Sequence, residues 1–108
     1  MDQIKASLDI YIDQAEISPS AYRMAHQLAA DGGPGPNRQE RNVIQRDRVL
    51  TSLAEMIPVN AETSLAVSGW LGFTQAVILD WIDNPVISRQ RLHQLCLRTL
   101  QAAVKLPD

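Results

Sequence analysis

The residues of this chain that could do chemistry are few and scattered. His26 and His93 are its only histidines, Cys96 is its only cysteine, and Asp80 and Asp83 close a long apolar stretch. The two histidines lie far apart, and neither anchors a ligand set on its own helix, so no metal site is expected. Cys96 falls within an apolar arc, which suits an inert core thiol better than a nucleophile. Asp80 and Asp83 stand near a helix C-terminus, where the helix dipole disfavours negative charge. They read as solvated charges, with recognition of a cationic ligand as the functional alternative. The aromatics Trp70, Phe73 and Trp81 could line a pocket or fill a core. The glycines of Asp31-Gly-Gly-Pro-Gly-Pro36 lack both the Gly-Lys-Ser/Thr that follows and the strand that precedes a phosphate-binding loop, so they read as a connector. Arg38, Arg41, Arg46 and Arg48 are mixed with Glu40 and Asp47 and have no interleaved aromatic. That is the pattern of a solvated helix face rather than a nucleic-acid patch. No catalytic residue, metal or cofactor is assigned.

The elements that must position these residues are helical. Ile4, Leu8, Tyr11, Ile12 and Ala15 recur at helical spacing over residues 2–16. Ser18-Pro19 restarts the chain, serine as a cap and proline in the first turn. Tyr22, Ala25, Leu28 and Ala29 mark a second helix that ends near Ala30. Asn37-Arg38-Gln39-Glu40 has the spacing of a capping box. A third helix follows from about Arg38 to Ile57, with Val43, Ile44, Leu50, Leu53, Ala54 and Ile57 on its inner side. Pro58 stops it and Asn60 caps the next. Two further helices, Asn60–Asp83 and Ser88–Leu106, are joined at Asn84-Pro85. No segment alternates as a strand does, and no repeat or long heptad run is visible. The expected fold is all-α: one domain over residues 1–108, about five helices in an antiparallel bundle.

Composition bounds the rest. A chain of 108 residues supports one modest core. With 45% hydrophobic residues, a net charge of −2 and a pI near 5.6, no basic field draws it to nucleic acid or to an anionic membrane. A single cysteine excludes an internal disulfide and fits a reducing compartment. Ser68, Gly69, Gly72, Thr74 and Gln75 interrupt the apolar run of Val67–Leu79, so no membrane span is expected. Met1-Asp2-Gln3 lacks the start of a secretory signal, and the expected location is cytoplasmic.

The last two helices carry more apolar surface than a small monomer can cover. At 100° per residue, Trp70, Phe73, Val77 and Trp81 share one face, and Val67, Leu71, Ile78 and Ile82 share the next. Leu65, Gly69, Gly72 and Ala76 form a third stripe of mostly small residues. On the closing helix the apolar arc exceeds half the circumference. A helix apolar nearly all round must be nearly all buried. A homodimer with a four-helix interface, two helices from each copy, answers that need.

Together these residues resemble the C-terminal domain of TetR-family transcriptional regulators. The resemblance rests on Ala21-Tyr22-Arg23, the basic third helix, Gly69-Trp70-Leu71-Gly72-Phe73 with Leu79-Asp80-Trp81, and the closing Ser88-Arg-Gln-Arg-Leu92 to Leu100. It implies a repressor's effector-binding and dimerisation domain that acts by binding, not catalysis. DNA would be engaged only through a helix-turn-helix domain that these 108 residues do not contain. A small, mostly apolar effector would contact Tyr22, Leu53, Trp70, Phe73, Thr74 and Val77. The dimer would form through Val67, Leu71, Ile78, Ile82, Leu92, Leu95, Thr99 and Ala102, with the two faces of the long helix open to exchange. The rival readings are a small all-α dimeric enzyme of the chorismate-mutase kind, with arginines converging in one cavity, and a ligand-free interaction bundle.

Overall fold

The computed structural model describes the backbone of residues 2–30 and 38–105 and the side chains of residues 2–24 and 43–105. The Asp31–Pro36 connector, the Asn37-to-Glu40 capping box, Leu106, and the side chains of Ala25, His26, Leu28, Ala29, Arg38 and Arg41 lie outside those residues. All regular structure described is helical: α1 (Asp2–Ile17), α2 (Pro19–Ala30), α3 (Arg38–Leu53), α4 (Ala61–Asp83) and α5 (Arg89–Val104). The all-α class expected from the periodicity is what forms.

Local chemistry sets the boundaries. Asn60 caps α4: its side chain accepts the Thr63 N–H at 2.9 Å, and the Thr63 hydroxyl accepts the Asn60 N–H at 3.4 Å. These are the reciprocal bonds of a capping box, with asparagine and threonine in its two roles. Ser88 caps α5 by accepting the Arg91 N–H at 3.2 Å. Lys105, at φ 58°, closes that helix in the left-handed region. The third helix ends four residues before the expected Ile57. The N–H groups of both Met56 and Ile57 converge on the Leu53 carbonyl at 2.9 Å, tightening the last turn ahead of Pro58.

The core has α4 at its centre. Helices α1, α3 and α5 pack against α4, while α2 packs on α1 and α3. Ile4, Leu8, Ile12 and Ala15 form the buried stripe of α1, and they meet Leu53 of α3, Val67, Trp70, Leu71 and Ile78 of α4, and Leu92, Cys96, Leu97 and Leu100 of α5. Fully burying one of the larger aliphatics is worth about 1.5–3 kcal/mol. The whole measures 38 × 32 × 18 Å, thin enough for about two layers of helix at their usual 8–10 Å spacing.

Two expectations need correction. The inner side of α3 is Val49, Leu50, Leu53 and Ile57, whereas Val43, Ile44 and Ala54 are exposed. Val49, Leu53 and Ile57 follow an i, i+4, i+8 line, and Ala54 and the Val43-Ile44 pair fall off it. The interruptions in α4 also do not keep it below the membrane threshold. Over an 18-residue window it is long and apolar enough to cross a membrane, with 33% of that window buried in the fold. The core helix of a folded bundle meets the same criterion.

Candidate functional site

Two adjoining cavities open between α1, α3 and α4. The larger, of about 280 Å³, is lined by Gln3, Ile4, Ser7, Leu8 and Tyr11 from α1, by Gln45, Arg48, Val49, Thr51 and Ser52 from α3, and by Trp70 and Leu71 from α4. The smaller, of about 140 Å³, shares Leu8, Tyr11, Gln45, Trp70 and Leu71 with it and extends to Gln14, Tyr22, Thr74, Gln75 and Ile78. Helical spacing explains the lining. Ile4, Leu8 and Tyr11 stand on one side of α1, and Gln45, Arg48, Val49 and Ser52 on one side of α3. Trp70, Leu71 and Thr74 line the floor from α4.

Polar bonds fix the walls. The Trp70 indole N–H donates to the Cys96 carbonyl at 2.8 Å, which orients the ring and ties α4 to α5. The buried Ser52 hydroxyl donates to Gln3 Oε1 at 2.9 Å, tying α3 to the start of α1. Thr74 is only 4% exposed, and its hydroxyl oxygen has no hydrogen-bond partner of ordinary geometry among the described residues. The Cys96 thiol is its one polar neighbour. Burial pushes that thiol above its ordinary pKa, and Thr74 beside it offsets part of the rise.

Of the six residues expected at a ligand, Tyr22, Trp70 and Thr74 come together at these cavities. Leu53, Phe73 and Val77 do not line them: Leu53 is fully buried in the core, and Phe73 and Val77 are half-buried at its edge. The inward face of α4 is Val67, Trp70, Leu71, Thr74 and Ile78, and it straddles the two faces drawn from the sequence. The expected dimer residues divide in the same way. Val67, Leu71, Ile78 and Leu92 are buried in the protomer's own core and present nothing to a partner. Ile82, Leu95 and Thr99 are half-buried and Ala102 is exposed. The outward side of α4 is instead the small-residue stripe. Leu65 is 75% exposed, Gly69 and Ala76 are exposed, and a methyl group added at Gly69 or Gly72 would meet nothing within 4 Å. Tyr11, Gln45, Arg48 and Val49 line the cavities and were not singled out as ligand contacts. Tyr11 alone had a usable signal, as the aromatic in the apolar stripe of α1.

Other charged groups pair between helices. Arg89 of α5 lies against Asp13, Glu16 and Asp9 of α1, with contacts at 2.5, 2.6 and 3.5 Å. These acids sit at i, i+4 and i+7 on one side of α1. The hydrogen bond to Asp13 leads the effects that raise the already high pKa of Arg89. His93 Nε2 stands 3.1 Å from the Lys5 carbonyl and 3.5 Å from Asp9. Although His93 and Cys96 are three residues apart on α5, the ring faces α1 and the thiol faces the core. No group of three potential metal ligands occurs among the described residues. Asp83 pairs with Arg23 of α2, so this aspartate clasps two helices. Trp81 donates to the Ile87 carbonyl at 2.8 Å, fastening the end of α4 to the connection before α5. Neither of the two cavities gathers three arginines among the described residues. Compared with known proteins, the chain matches no family model, no curated protein and no solved structure.

Proposed function

We propose that this chain is a ligand-sensing helical domain that binds a small, mostly apolar molecule between α1, α3 and α4 without transforming it. The observation that carries the reading is the convergence of Tyr22, Trp70 and Thr74 on adjoining cavities with walls of Ile4, Leu8, Val49 and Leu71. Ligand pockets are typically concave, mostly apolar and furnished with a few placed polar groups, at about 300–1,000 Å³. At about 280 Å³ the larger cavity falls just short of that range, and the adjoining one of about 140 Å³ extends it.

In this reading the domain is the effector-binding and dimerisation part of a TetR-like repressor, which reaches DNA only through a separate domain. That role rests on the sequence resemblance alone. A second copy would cover the outward side of α4 and the flank of α5, where Leu65, Leu95 and Ala102 stand. Ligand binding would shift the domain between two arrangements by its differential affinity for them. A thermal-shift screen comparing apolar compounds with sugar phosphates tests the ligand. Hits among apolar compounds, weakened in Tyr11→Ala at the half-buried cavity wall but kept in Leu65→Gln, support it, and hits confined to sugar phosphates overturn it. Sedimentation equilibrium tests the dimer: twice the chain mass is expected at micromolar concentration, and a folded monomer at high concentration refutes it.

A further inference from the structure

We infer that the ligand of this groove is a hydrophobic monoanion, a carboxylate whose charged end sits at Arg48 and whose apolar body lies over Trp70 and Leu71. The inference rests on the groove being a ligand site and adds the ligand's charge. Among the described residues that line the two cavities, Arg48 is the only charged one. It stands on the exposed side of α3, at the rim of the larger cavity. Arg48, like Arg91 and Arg98 of α5, forms no ion pair among the described residues, and of these three it alone lines the two cavities. A guanidinium presents a planar fork of donors that matches a carboxylate in two parallel bonds. No acid among the described residues lines either cavity to compete for it.

The charge count selects the class. One cation at the rim balances one negative charge. A phosphate ester or a dicarboxylate would bring a second charge for which the described lining holds no second cation, only neutral donors such as Gln3, Ser7 and Gln45. A neutral apolar molecule would leave the exposed guanidinium to water and forgo the charge pair. The Thr74 hydroxyl is buried beside the Cys96 thiol under the smaller cavity and takes no part in selecting the charge.

Isothermal titration with octanoate, octanol and suberate, the eight-carbon dicarboxylate, tests this on the wild-type chain and on Arg48→Gln. Arg48 is exposed and outside the core, so the substitution leaves the fold intact, which the unchanged unfolding midpoint checks. Octanoate should bind more tightly than either of the others. Arg48→Gln should weaken octanoate about fivefold, as expected for a charge pair at a solvated rim, and leave octanol unchanged. Equal binding of octanoate and octanol, or an unaffected octanoate affinity in Arg48→Gln, overturns the monoanion and leaves the apolar groove standing. Failure of all three probes to bind overturns both readings.

Discussion

Replacing Gly69 and Gly72 by alanine tests directly what covers the outward side of α4. Both glycines lie inside a 23-residue helix, and neither has a positive φ that alanine would resist. A Cβ at either position meets no heavy atom within 4 Å. The protomer therefore opposes the change with no clash, and only the backbone preference remains. Glycine costs about 0.5–1 kcal/mol against alanine in a helix interior, chiefly through the larger freedom of the unfolded chain. The two sites are neighbours at i and i+3, but two methyl groups there do not clash, so the double variant should gain about 1–2 kcal/mol. For a domain of this size each 1 kcal/mol moves the melting temperature by roughly 4–8 °C. Urea unfolding at submicromolar concentration, with the slope held in common, measures the gain for the protomer. The same titration at a hundredfold higher concentration reads any covered state. If a second helix packs closely on this stripe, the gain shrinks or reverses as concentration rises. Destabilisation by more than about 0.5 kcal/mol at the lowest concentration would refute the open face within the protomer.

Other outcomes follow from the clasps around the core. Trp70→Phe removes the indole bond to the Cys96 carbonyl and one ring's worth of buried surface, for a loss of about 2–3 kcal/mol in urea unfolding; a loss below 0.5 kcal/mol would mean the bond and the packing do not form. Arg89→Gln should cost about 0.5–1 kcal/mol at low salt and less at 1 M salt, because the pairs to α1 are solvent-exposed and screened; a salt-independent cost would count against it. Cys96 has its thiol raised above the ordinary 9.0 by burial, so its contribution is complete below that pH and is lost as pH climbs, since the unfolded thiol ionises first. A pH titration of stability should fall above about pH 9, and Cys96→Ala should flatten that fall.

What the sequence disclosed best was punctuation. Asn60 and Ser88 are residue types that cap helices, and both do so, because a cap is decided by a handful of neighbouring atoms. Faces were less legible. On α4, Thr74 sits at the middle of the buried side with Val67, Leu71 and Ile78 around it, yet a polar residue reads as an interruption in a hydrophobic pattern. Thr74 was expected at the pocket beside Phe73 and Val77, but the buried side runs from it to Val67, Leu71 and Ile78, which were expected at the dimer face. On α3, Val43 and Ile44 carried the apolar signal and are exposed, while Val49 faces inward. A helix with apolar residues on several sides does not encode which side is inward; packing against α1 decides it. Arg48 could not be told from its charged neighbours for the same reason, since its place at a cavity rim depends on three helices meeting.

The two tryptophans divide the molecule optically. Trp70 is 5% exposed and forms a wall of both cavities, whereas Trp81 is half-exposed at the end of α4, against the connection before α5. Fluorescence of the native chain thus mixes a signal from the groove with one from a distant hinge. In a Trp81→Phe background the emission belongs to Trp70 alone, and its wavelength reports how wet the groove is. A molecule seated against Leu8 and Leu71 would touch that ring and change its emission. The fold therefore carries a built-in dye at the position where occupancy would be read.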